Sequence, residues 1–325
     1  EFLSLARRPL MVELILAAFP EIEIGKPIDL ARVYLYAVRR KLEQDIKSAR
    51  TFTSLADKLY FLCELSWKML STEQMSLSYK DFPEEIRQLF GRMVKSETDL
   101  DHWHYDMMGQ TLLIRNERGE YTPAHRSFLE FFVAYKFAAE LGCLAPDFVE
   151  IAQQQSHIDQ TKPSEVYQWS TYFRRAVNRT GKVIPIAPLK TFATQQPLSY
   201  LRKTLGQFSL SKAMLDLMVP MLRSSHDGAP TEDLLLAILL STKEITGSEA
   251  DYLAGNLITL LLKLAPTALQ GRDLSHMVIQ EADFTGASLQ DINFTGAHLI
   301  DCIFPQRWRG DLSVTFSPDG SFLAI

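Results

Sequence analysis

The 325-residue sequence predicts a mainly α, multi-domain fold that ends in a short β-solenoid and a β-hairpin. Three observations carry that prediction. Apolar residues recur at helical spacing through most of the chain up to Leu264. A five-residue period, which fits neither a helix nor a flat strand, then occupies residues 272–306. After it, Ser317-Pro-Asp-Gly320 separates two short strand-like runs.

Residues 1–72 read as a first helical domain. Leu10, Val12, Leu14, Ile15 and Ala18 supply one apolar face, and Leu30, Val33, Tyr34, Ala37, Val38 and Leu42 supply another. Asp29 stands where an N-cap belongs, just ahead of the second pattern. Leu55, Leu59, Leu62, Cys63 and Leu65 align on a third helix near Thr53–Leu70.

Residues 73–144 change character. Asp81–Phe90 reads as a short capped helix and Leu112–Ile114 as a strand. Asn116-Glu-Arg-Gly119 is a turn, and Glu120–Ala124 returns as a second strand. Pro123 cannot donate to a ladder, so the strand is expected to lie at an edge there. Ser127-Phe-Leu-Glu130 has the form of a capping box, in which the Ser hydroxyl takes the N3 amide. The helix it opens carries Phe128, Phe131, Phe132, Tyr135, Ala138 and Leu141 on one face, with Gly142 as its stop. Helices, a two-stranded wing and a closing helix make a winged-helix domain.

Residues 145–270 are again helical in pattern, broken by Pro163, Pro185, Pro188, Pro197 and Pro220, and read as a second helical domain or spacer. The pentapeptides of residues 272–306 follow. Their central positions are Leu274, Ile279, Phe284, Leu289, Phe294, Leu299 and Phe304. Ala282, Ala287 and Ala297, two residues before a centre, are small enough to point inward; Arg272 and Met277 fit that slot poorly. Four units close one square coil, so a short right-handed β-helix of fewer than two turns is expected, with coils about 4.8 Å apart. Such a stack is near the lower limit of about three repeats for independent stability, so it must lean on its flanks. Residues 310–325 form the terminal hairpin.

Composition narrows the function classes. Hydrophobic residues at 46% and charged residues at 22% are ordinary for a well-packed protein. A net charge of -5 argues against an electrostatic hold on nucleic acid. Cys63, Cys143 and Cys302 form no close pair, so a disulfide framework or zinc knuckle is not indicated and a reduced, cytoplasmic setting is expected. The longest apolar runs, Leu234–Leu240 and Leu257–Leu262, fall far below the roughly 20 residues that span a bilayer. The amino end lacks an initiator Met and the basic region of a signal peptide, and the chain reads as a segment of a longer protein. Asp99, Asp101, His102, His104 and Asp106 alternate with Trp103 and Tyr105, which marks a polar strand face rather than a metal site. Arg7-Arg8 and Arg39-Arg40 read as solvated helix faces.

Three segments resemble a known family. Leu5-Ala-Arg-Arg-Pro-Leu-Met11 is similar to the proline-bearing segment that opens the first helical domain of NACHT-type STAND signalling ATPases. Tyr121-Thr-Pro-Ala-His-Arg-Ser-Phe-Leu-Glu-Phe-Phe-Val-Ala134 is similar to the winged-helix signature of that family. Val314-Thr-Phe-Ser-Pro-Asp-Gly-Ser-Phe-Leu-Ala324 resembles the start of a WD repeat. The resemblance implies a nucleotide switch that rests with ADP and is activated by ATP with magnesium. It places Pro9 against the adenine and His125 on the β-phosphate, and it implies a homo-oligomer whose repeat region meets protein ligands. Here Pro123 stands where the family carries an aromatic residue.

No G-x-x-x-x-G-K-[ST] occurs: Gly25-Lys26 is followed by Pro27, and Gly181-Lys182 by Val183. These residues alone are therefore expected to hydrolyse nothing, and most of a nucleotide site would lie outside them. The competing expectation is a binding scaffold without switching, in which solenoid and propeller recruit proteins while the helices space them.

Overall fold

The computed structural model describes residues 9–23, 25, 28–48, 55–78, 80–82, 84, 104, 112–153, 175–177, 183–185, 195–222, 230–244, 251–304, 315–316 and 323–324. The chain divides into two compact units. One comprises Glu1–Thr194 with Asp216–Met221, and the other Gln195–Leu215 with Leu222–Ile325. Helices predominate among the described residues, and strands are few and short.

In the first unit, helix α1 (Pro9–Glu23) lies against α2 (Leu30–Ser48) and buries Leu14 and Ala18. Val12, assigned to that apolar face by the spacing, is exposed instead, together with Leu16 and Phe19. Asp29 caps α2 as expected: its Oδ1 accepts the Arg32 amide at 2.9 Å, and its carbonyl accepts Val33 N–H at 3.0 Å. The Arg32 guanidinium also bonds Asp29 and grips Asp147 through two bonds of 2.7 and 3.1 Å. Phe148 lies under it at 5.5 Å. Burial opposes the Arg32 charge, but the two carboxylates more than offset this and hold it above its ordinary pKa. This joins the start of α2 to the start of α5 (Pro146–Gln153). Arg39 pairs with Glu43 at 3.1 Å, and Arg40 donates to the Ala17 carbonyl at 3.1 Å, so neither is merely solvated.

Strands β1 (Leu77–Ser78), β2 (Leu113–Arg115) and β3 (Glu120–Pro123) form an antiparallel sheet in the order β1-β3-β2. Although β3 is central, β1 pairs only with Glu120 and Tyr121, so Pro123 has a strand on one side alone. The missing donor is thus tolerated where expected, and the next amide, Ala124 N–H, resumes the ladder to Leu112 O at 2.8 Å. Asn116 shapes the β2–β3 turn, its Oδ1 accepting from Arg118 N–H at 3.0 Å and Glu120 N–H at 2.9 Å.

Helix α4 (Arg126–Glu140) is the centre of this unit. Every residue from Phe131 to Ala145 is buried, so α4 has neighbours all round rather than on the single face predicted. Tyr34 meets Phe128 at 5.6 Å and Phe131 at 5.5 Å. From α3 (Leu55–Ser71), Trp67 meets Phe137 edge-on at 5.4 Å. The buried Lys136 bonds Glu64 of α3 and Glu140 of its own helix, the latter at 2.7 Å. Burial raises the pKa of Cys63, and pushes Cys143 up to about 12, so both thiols are kept protonated.

Within the stretch read as helical, β4 (Arg175–Val177) and β5 (Val183–Pro185) pair antiparallel. The sequence signal passed over there was Asn178-Arg-Thr-Gly-Lys182 between β-branched residues.

The second unit carries α6 (Leu198–Leu201), α7 (Lys212–Leu222, shared with the first), α8 (Thr231–Ser241) and α9 (Leu253–Leu264). Asn256 on α9 is 3% exposed. Its Oδ1 accepts Leu210 N–H at 3.0 Å, while its Nδ2 donates to Leu205 O at 2.7 Å and Phe208 O at 2.9 Å. One side chain therefore satisfies three groups of the chain that leads into α7. Strands β6 (Val278–Gln280) and β7 (His298–Ile300) pair parallel, and β8 (Thr315–Phe316) and β9 (Leu323–Ala324) antiparallel. Among the described residues no helix is long and apolar enough to cross a membrane.

Replacing Asn256 by Ala orphans one donor and two acceptors, at about 1–3 kcal/mol for a buried group left unmade. We expect Asn256→Ala to lower the urea midpoint of the second unit by the equivalent of about 3 kcal/mol. Hydrogen exchange across residues 205–210 and α9 reads that loss separately from the first unit.

Candidate functional site

Two places could act: the start of α4 and the coil after α9. At the first, the structure corrects the helix start. The N-cap is His125, not Ser127, with extended dihedrals of φ -154 and ψ 149. His125 Nδ1 accepts the Ser127 amide at 3.1 Å and lies 2.7 Å from Ser127 Oγ. Glu130 does not reach back to a cap; it pairs with Arg126 at 3.3 Å. An imidazole can do the work of a Ser or Asp here because its Nδ1 sits about as far from the backbone as their oxygens. With Nδ1 accepting, the neutral ring carries its hydrogen on Nε2. The His125 side chain is exposed.

Pro9 is the first residue of α1, a position suited to its fixed φ and absent N–H. Its side chain lies outside the described residues, so the structure does not describe a pairing with His125. Of the alternating Asp and His residues, only His104 is described; it is half-buried with its ring 6.2 Å from that of Phe82. Arg7, Arg8 and most of Asp81–Phe90 also lie outside the described residues. Among the described residues, no group of three or more His, Cys, Asp and Glu is arranged to hold a metal ion.

The second place is built by repetition. Gly271, His276, Glu281, Gly286, Asp291, Gly296 and Asp301 all have positive φ, one every five residues, so each pentapeptide turns a corner at the same point. Each fourth corner brings the chain back over itself. Leu274 N–H donates to Asn293 O at 2.8 Å, Asn293 N–H to Arg272 O at 3.0 Å, and Phe284 N–H to Ile303 O at 2.8 Å. Val278, Ile279 and Gln280 pair with His298, Leu299 and Ile300, a register of twenty residues. Asp273, Asp283 and Asn293 hold their corners by accepting the amide two residues on, from Ser275, Thr285 and Thr295, at 2.9–3.0 Å.

The central side chains stack across this register. Phe284 lies flat on Phe304, ring centroids 4.9 Å apart, and meets Phe294 edge-on at 6.0 Å. Leu269, five residues before Leu274, is fully buried and adds a centre that the sequence reading missed; its spacing was the available signal. Met277 is buried in the slot it fits poorly, whereas Arg272 turns outward.

Helix α9 lies on the first coil. A Cβ on Gly255 would stand 1.8 Å from Gln280 O, so glycine alone permits the contact. Thr259 Oγ accepts the Asp283 amide at 3.0 Å. Lys243 bonds Asp273 at 2.8 Å, and Lys263 bonds Asp283 at 3.5 Å. The Lys243 bond, with those from Ser275, holds the Asp273 carboxyl far below the usual range. Burial works against the Asp283 charge, but Thr285 and Lys263 overcome it and its pKa is lowered as well.

Residues 269–306 match the family described as pentapeptide repeats, in eight copies. Eight copies of five residues make two coils, with Leu269, Leu274, Ile279 and Phe284 at the centres of the first. The whole chain is 58% identical, over 324 residues, to a WD repeat-containing protein of Nostoc sp. (strain PCC 7120). This match covers 100% of the chain but 21% of that relative, so the chain spans about a fifth of its length. No solved structure matches the chain.

Gly255→Ala is expected to lift α9 from the coil and speed exchange at the Asp283 amide, which Thr259 of α9 holds, ahead of amides bonded within the coil. Gly286→Ala, with φ +79 and open space around it, should cost only about 1 kcal/mol. Thermal unfolding followed by β-sheet circular dichroism separates the two.

Asp273 and Asp283 have folded pKa values below their unfolded ones, so their stabilisation is present above about pH 4 and is lost as pH falls through the folded values. The coil should lose exchange protection progressively as pH falls below about 4. Asp273→Asn should flatten that dependence.

Proposed function

We propose that this chain is the helical and solenoid part of a repeat-based interaction scaffold, its coil and an adjoining propeller presenting surfaces to protein partners. The observation that carries the reading is the two-turn coil with uniform corners and a helix fixed on one end. Such a rod has a regular outside and a filled inside, which suits it to spacing and binding rather than to enclosing a substrate. Burial of Cys63 and Cys143 removes two nucleophiles from consideration. The match to a WD repeat-containing protein supports a propeller next to the coil. On this reading residues 272–306 form a right-handed, four-sided β-helix and residues 310–325 begin the propeller.

A second reading is favoured by one observation, the placement of His125. Capping through Nδ1 leaves Nε2–H on an exposed ring at the first turn of a fifteen-residue helix, where unpaired amides favour an anion. A diphosphate arriving there would be met by that N–H. This is what a NACHT-type switch would need, with residues 1–72 as the first helical domain, 73–144 as the winged helix and 145–270 as the second helical domain. Pro9 would face the adenine. The magnesium site and most of the ADP and ATP site would belong to the rest of the longer protein, which would assemble as a homo-oligomer.

One experiment separates the readings. The purified full-length protein is assayed for bound nucleotide and for mass, with added ADP or with ATP and magnesium. The scaffold reading expects far less than stoichiometric nucleotide and a mass unchanged by either nucleotide. Stoichiometric ADP, an ATP-dependent rise in mass, and loss of ADP in His125→Ala by at least about tenfold, as expected when one hydrogen bond to a charge worth about 1.5–3 kcal/mol is removed, would establish the switch and overturn the scaffold. His125→Asn keeps a cap acceptor, so comparing it with His125→Ala separates a phosphate contact from a loss of helix stability.

A further inference from the structure

We infer that the far end of the coil is a docking face for the propeller to which residues 314–325 belong. The two ends of the coil differ. The four centres of the first coil, Leu269, Leu274, Ile279 and Phe284, are all 0% exposed beneath α9. The four of the second are all partly open: Leu299 is 38% exposed, and Leu289, Phe294 and Phe304 are half-buried.

The backbone repeats the same asymmetry. In the first coil the amides of Leu274 and Phe284 donate to the second. The equivalent amides twenty residues on, those of Phe294 and Phe304, find no backbone acceptor among the described residues. An edge of this kind is a template for a further strand. Beside it Ile303 is 56% exposed, at the place in its pentapeptide where Asp273, Asp283 and Asn293 carry the polar corner bonds. An aliphatic side chain at a solvent-facing polar position extends the apolar end face.

Three facts choose the occupant. The pentapeptide match ends at residue 306, so a ninth copy does not prolong the stack. The open side chains together present on the order of 300 Å², taking about a third of each at up to about 200 Å². A second copy of this chain would need about 800 Å² per partner for a stable interface. A tethered partner needs far less, because a short linker supplies an effective concentration near the millimolar range. Residues 305–313 separate the coil from the WD-like segment and reach at most about 30 Å. The occupant is therefore an edge of the propeller on the same polypeptide. The inference rests on reading residues 314–324 as propeller strands and is independent of any nucleotide switch.

The test is hydrogen exchange on the full-length protein, comparing wild type with Leu299→Asp and Ile303→Asp. Docking predicts slow exchange at Phe294, Leu299 and Phe304 in wild type. Each variant should raise exchange there and at 314–324 by about tenfold, with Leu274–Phe284 unchanged, because a docked surface opens locally before the unit unfolds. Fast exchange at Phe294–Phe304 in wild type, with the propeller itself protected, overturns the docking face alone. Protection that disappears on dilution assigns the face to a second copy and overturns it too. An absence of protection throughout the propeller region overturns the propeller reading, and the docking with it. Ile303→Asp alters an already exposed side chain, so it keeps the test decisive if Leu299→Asp fails to fold.

Discussion

The second unit depends on a contact between a helix and a coil that only a residue without a side chain allows. Gly255 brings the backbone of α9 against the Gln280 carbonyl, closer than any Cβ could stand. That approach seals the first coil, and its four centres are buried as a result. It also lets Thr259 reach the Asp283 amide, while Lys243 and Lys263 reach the carboxylates along the rim. A two-turn coil has little interior of its own, so a cap is the condition for its existing at all. Asn256, one residue along, uses the same helix to fix the loop before α7. One turn of α9 thus serves two structures.

The first unit is organised differently, around a helix with no solvent face in its second half. Aromatic rings from α2, α3 and α5 close on α4, and its buried Lys136 is matched by carboxylates of α3 and α4. Removing one partner of such a cluster would leave a charge buried without compensation, so the cluster fixes which faces of α3 and α4 meet. The N-terminal end of α4 is unlike the rest: His125 is exposed, and its ring caps the helix.

Much of this was legible from residue order. Asp29 capping α2, the β2–β3 hairpin around Asn116, and the pentapeptide centres all follow from local chemistry with a fixed spacing. The start of α4 was misplaced because Ser127 and Glu130 satisfy the spacing of a capping box, while His125, two residues earlier, offered an acceptor of the same reach. Val12 was assigned inward because periodicity counts apolar residues without showing how many neighbours a helix has. The β4–β5 ladder was passed over among proline breaks, where three-residue strands give too short a pattern to count.

The sequence by itself determined the period of the coil, because one corner every five residues is a property of each pentapeptide and its neighbours. It also determined that no G-x-x-x-x-G-K-[ST] motif occurs in these residues, since that motif needs particular residues at particular spacings. Only the tertiary structure decided that one end of the coil is sealed and the other open. Burial at Leu274 and exposure at Leu299 arise from what lies above and below two chemically similar positions, and a five-residue pattern is blind to that. The role of Gly255 was equally hidden, because a glycine within a helix looks like a weakness until the backbone it admits is seen.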